Sequence, residues 1–296
     1  TPTMESKAAR TTDAIAKMFH FLRLRTFVMK KKAANQTSVL RVKPIATILR
    51  RNTLVAIGLS LSIASTSAQQ KESQTYSDSK STILLGQSLP LSGPSAQIGK
   101  KYQAGAQAWF NEVNRQGGIN GKKIRLISLD DQYEPEQTIR NTKTLLDRPN
   151  LLALFGYVGT PTTKEILPVI EKRKVPLIAP LTGASILRDN ELNMVVNLRA
   201  SYQMEIDKIV DSLVRNARQK IAIIYQDDAF GKDGLKSAES ALKRHGLKPY
   251  AISTVQRNSA QIQSALQVLT SSQPNAIIII STYVSSAALS KELLQR

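Results

Sequence analysis

From Thr82 onward, short apolar runs alternate with segments of helical period, and this alternation restricts the fold more than any other feature. TILLGQS (82–88) is an apolar run ending in Gly and polar residues, the pattern of a strand buried on both faces. Residues 97–116 place Tyr102, Ala106, Trp109, Phe110 and Val113 on one helical face, which puts Trp109 in the core rather than on a ligand platform. GGINGKK (117–123) reads as a turn, 123–130 as a strand, and 135–147 as a helix opened by Pro135. LLALFG (151–156) is a strand, 161–173 a helix and VPLIAP (175–180) a strand. After ELNMVVNLRAS (191–201), one more strand and a crossing segment, the alternation restarts. Helices are expected over 202–216, 231–245, 259–271 and 285–295, and strands over 220–226, 248–254 and 275–280.

Strands that alternate with helices at this spacing predict an α/β fold, with parallel sheets flanked by helices. The pause near 198–203 divides the pattern into two units, expected as lobes over 82–200 and 201–296 with a cleft between them. In such sheets ligands sit outside the carboxyl ends of the strands.

The residues before Thr82 read differently. LRRNTLVAIGLSLSIASTSAQQ (49–70) has a basic start at Arg50 and Arg51, an apolar stretch from Leu54 to Ala64, and small residues up to Ala68. This is the layout of a secretory signal cleaved after Ala68. Its apolar stretch is well short of the roughly 20 residues that span a membrane, which counts against a permanent anchor. Residues 1–68 are therefore expected to be an extension plus signal peptide, with Met29 a more ordinary start than Thr1. Residues 69–81, QQKESQTYSDSKS, read as a flexible linker.

Composition removes several classes of function. The chain has no cysteine and only two histidines, His20 and His245. Disulfides and thiolate sites are excluded, and a zinc centre or a Ser-His-Asp triad has almost nothing to draw on. The net charge of +19 suggests nucleic acid at first sight, but 12 of the 41 Lys and Arg fall in residues 1–68 against only Glu5 and Asp13. The remaining basic residues are spread over helix faces without interleaved aromatics, so no nucleic-acid groove is expected.

The strand ends hold the residues of interest. They are SLPLSGPSAQIG, DDQYEP, GYVGTPTT, APLTGAS, QDDAFGKDG and STYVSS. None contains a phosphate loop or a carboxylate pair with a neighbouring base. Asp130–Asp131 and Asp227–Asp228 could be catalytic or metal pairs, but the surrounding residues favour bonds to loop amides. Thr160 before Pro161 reads two ways, as an ordinary helix cap or as a ligand-binding hydroxyl. Thr182 likewise reads as turn chemistry or as a contact. His245, before Gly246, fits a favourable charge at a helix end.

In order and spacing, SGPSAQIGKKYQAG, GGINGKKI, DDQYEP, GYVGTPTT and YQDDAFGKDG resemble the periplasmic binding proteins of the leucine/isoleucine/valine type. These are the type I solute-binding components of ABC importers. The resemblance covers about residues 82–296 and implies a two-lobed fold that closes on an amino acid or related amide. By this resemblance, Gly159 and Thr160 fall where the ligand carboxylate is held. Leu181, Thr182 and Gly183 fall at a second set of contacts. Ile98, Phe230 and Tyr283 fall where bulky or aromatic side chains close on the ligand. A helix starting at about Pro161 would add unpaired N–H groups and a positive dipole end. Relatives place an acidic residue, facing the ligand ammonium, beyond the segment matched here, so this chain resembles a C-terminally shortened copy.

The expected function is thus the periplasmic receptor of an ABC importer, working with a membrane permease and without cofactor, metal or enzymatic chemistry. The mature chain is expected not to be embedded in the membrane. A sensor module built on the same fold is the alternative. A two-lobed enzyme would need a nucleophile and base, a metal set or a phosphate loop, and the sequence displays none of these.

Overall fold

Residues 82–295 are described by the computed structural model, and the expected signal and linker over residues 49–81 lie outside them. The first sheet is built from β1 (Thr82–Leu89), β2 (Lys123–Asp130), β3 (Leu151–Phe155), β4 (Leu177–Ile178) and β5 (Val195–Val196). Its order is β2-β1-β3-β4-β5, and every neighbouring pair is parallel. The second sheet has the order β7-β6-β8, from β6 (Ile221–Gln226), β7 (Ala251–Val255) and β8 (Ala276–Ile280), again all parallel. Parallel neighbours require a crossover, and helices supply it. These are α1 (Ala96–Arg115), α2 (Pro135–Leu146), α3 (Thr160–Thr163), α4 (Leu167–Arg173), α5 (Tyr202–Arg215), α6 (Ala229–Arg244), α7 (Gln263–Ser272) and α8 (Tyr283–Leu294).

The central strand of the second sheet explains its apolar run. Ile221, Ala222, Ile223 and Ile224 are all fully buried, because β6 is covered on both faces and paired on both edges. One apolar cluster runs through both sheets. It joins Leu154 and Leu177 of the first to Ile221, Ile223, Ile278 and Ile280 of the second, with Ile206 and Val210 of α5 among them. Each such Leu or Ile contributes about 1.5–3 kcal/mol on burial. A smaller cluster on the other face of the second sheet holds Ala222, Ile224, Val255, Ala265, Leu269 and Leu289.

Chain order and sheet order disagree at one point in each sheet. In the first, the chain runs from β1 to β2 on one side and then crosses to β3 on the other. In the second, β6 is followed by β7 on one side and β8 on the other. The crevices outside the carboxyl ends of β1/β3 and β6/β8 are therefore the switch points where α/β sheets hold ligands.

The helix expected over 161–173 is broken in three. One helical turn, α3, runs into a 3-10 turn at Lys164–Ile166 before α4 begins. Pro168 is the cause, since it has no N–H and its ring clashes with the carbonyl four residues back. The strand expected over 175–180 keeps only two paired residues, because Ala179 has a positive φ of 55° and turns the chain out of the sheet. The crossing segment is held by Arg188, whose guanidinium donates to the carbonyls of Arg199 (2.8 Å) and Ala200 (3.1 Å). Ser201 then caps α5 by accepting the Met204 amide at 3.2 Å.

Trp109 is not in the core. It is 37% exposed, whereas its neighbour Phe110 is 8% exposed and meets the Phe155 ring edge-on, with centroids 5.2 Å apart. The apolar stripe of α1 is narrower than the sequence suggests, and the buried positions are Gly99, Phe110 and Val113. Phe110→Ala is expected to cost about 3–5 kcal/mol in denaturant unfolding of the full chain. Trp109→Ala should cost less than about 1 kcal/mol. Equal losses would place Trp109 back in the core.

Candidate functional site

The loops after β3 and β4 meet each other. Their backbones are joined: the Leu181 amide donates to the Tyr157 carbonyl (2.7 Å), and the Gly159 amide donates to the Leu181 carbonyl (3.3 Å). The side chains follow. Thr160 and Thr182 are both buried, and their hydroxyls lie 2.7 Å apart. The Thr182 hydroxyl also meets the Tyr202 hydroxyl at 3.2 Å and accepts the Ala184 amide at 3.2 Å. Tyr202 then packs against Phe230 of α6, with ring centroids 5.2 Å apart. The Arg199 guanidinium stands 5.4 Å from the centre of the Tyr202 ring.

Thr160 is the first helical residue and Gly159 the cap, and the Thr160 side chain makes no cap bond. The cap reading of Thr160 is therefore not what the geometry contains. Its hydroxyl is directed to Thr182 instead.

Both predicted glycines carry a tyrosine ring. Gly159 has a φ of 99°, and a Cβ added there would lie 2.2 Å from Cε2 of Tyr133. A Cβ on Gly183 would lie 2.6 Å from Cδ1 of Tyr202. The need for glycine is met at both positions by close ring packing. Gly159→Ala combines a left-handed backbone with that overlap, and it should cost several kcal/mol of stability, roughly 2–4, in the full chain. A neutral result in a thermal melt would show that Tyr133 can swing away freely.

Tyr133 is the residue that links the two sheets here. Gln132 and Tyr133 both have positive φ, 54° and 66°, which turns the chain sharply after β2 and buries the ring. Two bulky residues in the left-handed region are costly and persist only where the surroundings enforce them. Asp131 does so. It is fully buried and accepts the Ser88 hydroxyl (2.8 Å), the Thr138 hydroxyl (3.1 Å) and the Tyr133 amide (2.9 Å). The Tyr133 phenol meets Gln226 at the end of β6, and burial followed by the Asp228 carboxylate pushes it far above the usual range.

The other predicted residues form a second group. Tyr283, at the start of α8, donates its hydroxyl to the Pro94 carbonyl (2.5 Å) and accepts the Gln97 amide (3.2 Å). Ile98 is half-buried beside these contacts in the first turn of α1. Tyr283 thus reaches across from the second sheet to the loop after β1. Further ties close the same rim. Glu134 pairs with Arg257 (2.6 Å) and accepts from Asn258 (3.0 Å), while Ser95 donates to Asn258 (2.7 Å). On the opposite rim the Ser185 amide donates to Asp233 (3.2 Å).

The other aspartates of the two strand-end pairs are committed. Asp130 accepts the amides of Leu91 (2.7 Å), Ser92 (3.2 Å) and Gln132 (3.0 Å). Asp228 caps α6 through the amides of Phe230 (2.9 Å) and Gly231 (3.3 Å), and also accepts from the Gln226 carboxamide. Asp227 pairs with Lys232 at 3.0 Å. His245, at the end of α6, meets Asp211 at 2.8 Å. Among the described residues no cluster of three His, Cys, Asp or Glu could hold a metal ion, and no helix is long and apolar enough to cross a membrane.

Tyr133, Tyr202 and Gln226 were not legible as site residues. The only sequence signal for Tyr133 is its place after the Asp pair at a strand end. Tyr202 is the first residue of α5, and nothing in the helical pattern marks it as a contact.

Burial pushes the Asp131 carboxyl up to about 6, and its three donors only partly oppose that. A raised carboxyl means the folded state holds its proton longer than the unfolded chain. The stability it contributes is complete below about pH 4 and is lost as pH rises through about 6. A rise of about two pH units corresponds to about 3 kcal/mol. Asp131→Asn, which keeps the neutral form, should remove a loss of that order between pH 4 and 7. The check is denaturant unfolding of both proteins across that range; parallel pH profiles would contradict it.

Comparison with known proteins agrees with this architecture. A family model described as periplasmic binding protein matches residues 82–296. Leu/Ile/Val-binding protein homolog 7 of Brucella abortus (strain 2308) is 27% identical over 216 residues, which cover 70% of this chain and 54% of that protein. A substrate-binding periplasmic protein from Ralstonia solanacearum superimposes with a TM-score of 0.69 at 36% identity, over 72% of this chain and 61% of that one. A possible leucine/isoleucine/valine-binding protein from Rhodopirellula baltica SH 1 gives 0.69 at 33% identity, over 72% and 59%. The chain spans about half the length of the curated relatives it matches.

Proposed function

The chain belongs to the periplasmic binding protein family, whose members bind ligands rather than catalyse reactions, and on that premise we propose that it receives a small ligand for an ABC importer. The two sheets then act as lobes, divided near residues 200–201, and the ligand lies between the two switch crevices. The ligand is an amino acid of the branched-chain type or a related amide. The receptor works outside the cytoplasm and delivers its ligand to a membrane permease.

The observation that carries this reading is the buried hydroxyl chain Thr160–Thr182–Tyr202 at the meeting of the β3 and β4 loops. Hydroxyls donate as readily as they accept, so the Thr160–Thr182 pair can reorient toward an entering carboxylate. The helix start expected to help is a single turn. Pro161 has no N–H, and the Gly159 amide is already bonded to Leu181. Recognition by hydroxyls therefore replaces recognition by a helix dipole. Leu181 and Gly183 frame the hydroxyls through their backbone. Phe230 closes over them through Tyr202, while Ile98 and Tyr283 guard the rim where the lobes meet. The names of several relatives point to the same ligand class.

The test is a thermal melt of the full chain with branched, small polar and aromatic amino acids and short amides. Ligands of one class should raise the midpoint, since only binding to the native state does so. Thr160→Val should weaken that ligand by about tenfold or more, the cost of losing a buried hydrogen bond to a charged group. No shift with any amino acid or amide would overturn the assignment.

A further inference from the structure

Among the described residues, two buried hydroxyls have no hydrogen-bond partner, Thr163 Oγ1 and Thr282 Oγ1. Buried polar atoms are nearly always paired, so each orphan calls for a cause. Thr282 lies just beyond β8, which flanks a switch crevice, whereas Thr163 ends the single turn α3 in the segment after β3.

Thr282 is the sharper case. It occupies the cap position of α8, a helix of 12 residues, where a threonine ordinarily accepts a first-turn amide. Its side chain makes no such bond. Its own amide donates to the Gln226 carboxamide oxygen at 3.3 Å. Gln226 is fully buried at the end of β6, gives its NH2 to Asp228 and meets the Tyr133 phenol. Tyr133 in turn lies on Gly159, next to Thr160. Thr282 therefore stands at the β6/β8 crevice, its backbone amide joined through Gln226 and Tyr133 to the loop that carries Thr160.

We propose that Thr282, with Gln226, is a specificity-determining contact that takes a neutral hydrogen-bonding group of the ligand, a carboxamide, hydroxyl or carbonyl. This rests on the receptor reading above and places that group at the ligand end remote from Thr160. The Asp228 carboxylate beside Gln226 opposes an anion, and a cation is disfavoured for two reasons. The nearby Asp228 carboxylate already accepts two amides and the Gln226 NH2. The start of α8 disfavours a cation. A purely aliphatic side chain would leave the Thr282 hydroxyl buried and unpaired, and sites built to hydrogen-bond a polar group reject analogues that lack it. The cleft is thus set for a polar or amide-bearing ligand over leucine or valine.

The experiment is calorimetric titration of the full chain and of Thr282→Val, Thr282→Ser and Thr160→Val. The probes are L-glutamine, L-asparagine, L-threonine, acetamide, L-leucine and L-valine. The native protein should bind at least one polar probe more tightly than leucine or valine. Thr282→Val should weaken that probe by about tenfold and so narrow its margin over leucine and valine, while Thr282→Ser keeps the preference. The melting temperature of Thr282→Val without ligand should stay level or rise, because the lost hydroxyl makes no bond. Undiminished polar binding by Thr282→Val overturns the proposal, as does a native preference for leucine or valine. A clear drop in its melting temperature also overturns it, since the hydroxyl would then be a structural cap. If leucine or valine alone binds and Thr160→Val abolishes it, the receptor reading stands and only this inference falls. If no probe binds the native protein, both fall.

Discussion

Asp131 has no access to solvent, and it holds three donors from three different elements: the end of β1, the first turns of α2 and the loop after β2. A buried carboxyl is expensive unless it is bonded on several sides. Here the bonds have a geometric consequence. They fix two successive left-handed residues, and these turn Tyr133 inward instead of letting β2 run on into solvent. The Tyr133 ring then lies on Gly159 and its phenol meets Gln226, so one carboxyl sets the contact between the carboxyl ends of both sheets. Thr160 follows the glycine on which that ring packs, and Gln226, which meets its phenol, accepts the Thr282 amide.

This arrangement changes the meaning of the glycine and hydroxyl loops. A glycine at a strand-to-helix handover suggests backbone approaching an anion. At Gly159 and Gly183 the approaching group is an aromatic ring of the protein itself. The missing Cβ atoms make room for Tyr133 and Tyr202, and those rings carry hydroxyls into the same space. The polar lining is therefore delivered by side chains on rigid loops, held by backbone bonds between the β3 and β4 loops. That suits discrimination between ligands better than a bare helix start, because hydroxyls are directional and neutral.

Much of the fold was legible in the sequence for one physical reason. Strands buried on both faces must be apolar throughout, so TILLG, LLALF, IAIIY and AIIII mark themselves out. Helix limits were legible within a few residues where a cap or turn residue stood at the end, as at Ser201 and Asp228. The break at Pro168 is marked in the sequence by the interior proline itself. Two things were not legible. The exposure of Trp109 depends on how far α1 leans on its sheet. Tyr133 depends on a positive φ that no residue type announces, since tyrosine is among the last residues expected there. Of the predicted contacts, Thr182, Gly183 and Phe230 meet Tyr202, Thr160 joins them through Thr182, and Gly159 and Leu181 are bonded to each other. Ile98 and Tyr283 come together elsewhere, at the start of α1, because Tyr283 spends its hydroxyl on the Pro94–Gln97 turn.

The distribution of charge follows the same logic. Several carboxylates near the junction of the sheets are already engaged: Glu134 with Arg257 and Asn258, Asp228 with the start of α6, and Asp233 with Ser185. These ties sit on the rim, where water still reaches them and each adds little to stability. Their value lies in position, since they bind one sheet's loops to the other's and can part without leaving a charge stranded in an apolar core. Apart from Asp131, the interior of the junction is left to neutral groups, namely threonine, tyrosine and glutamine. Neutral donors and acceptors cost far less to desolvate than ions, so a cleft lined by them can close and exclude water whether or not its ligand brings a compensating charge. On the proposed receptor reading, closure depends on hydrogen-bond complementarity, and an orphan hydroxyl such as Thr282 then bears on which ligand is accepted.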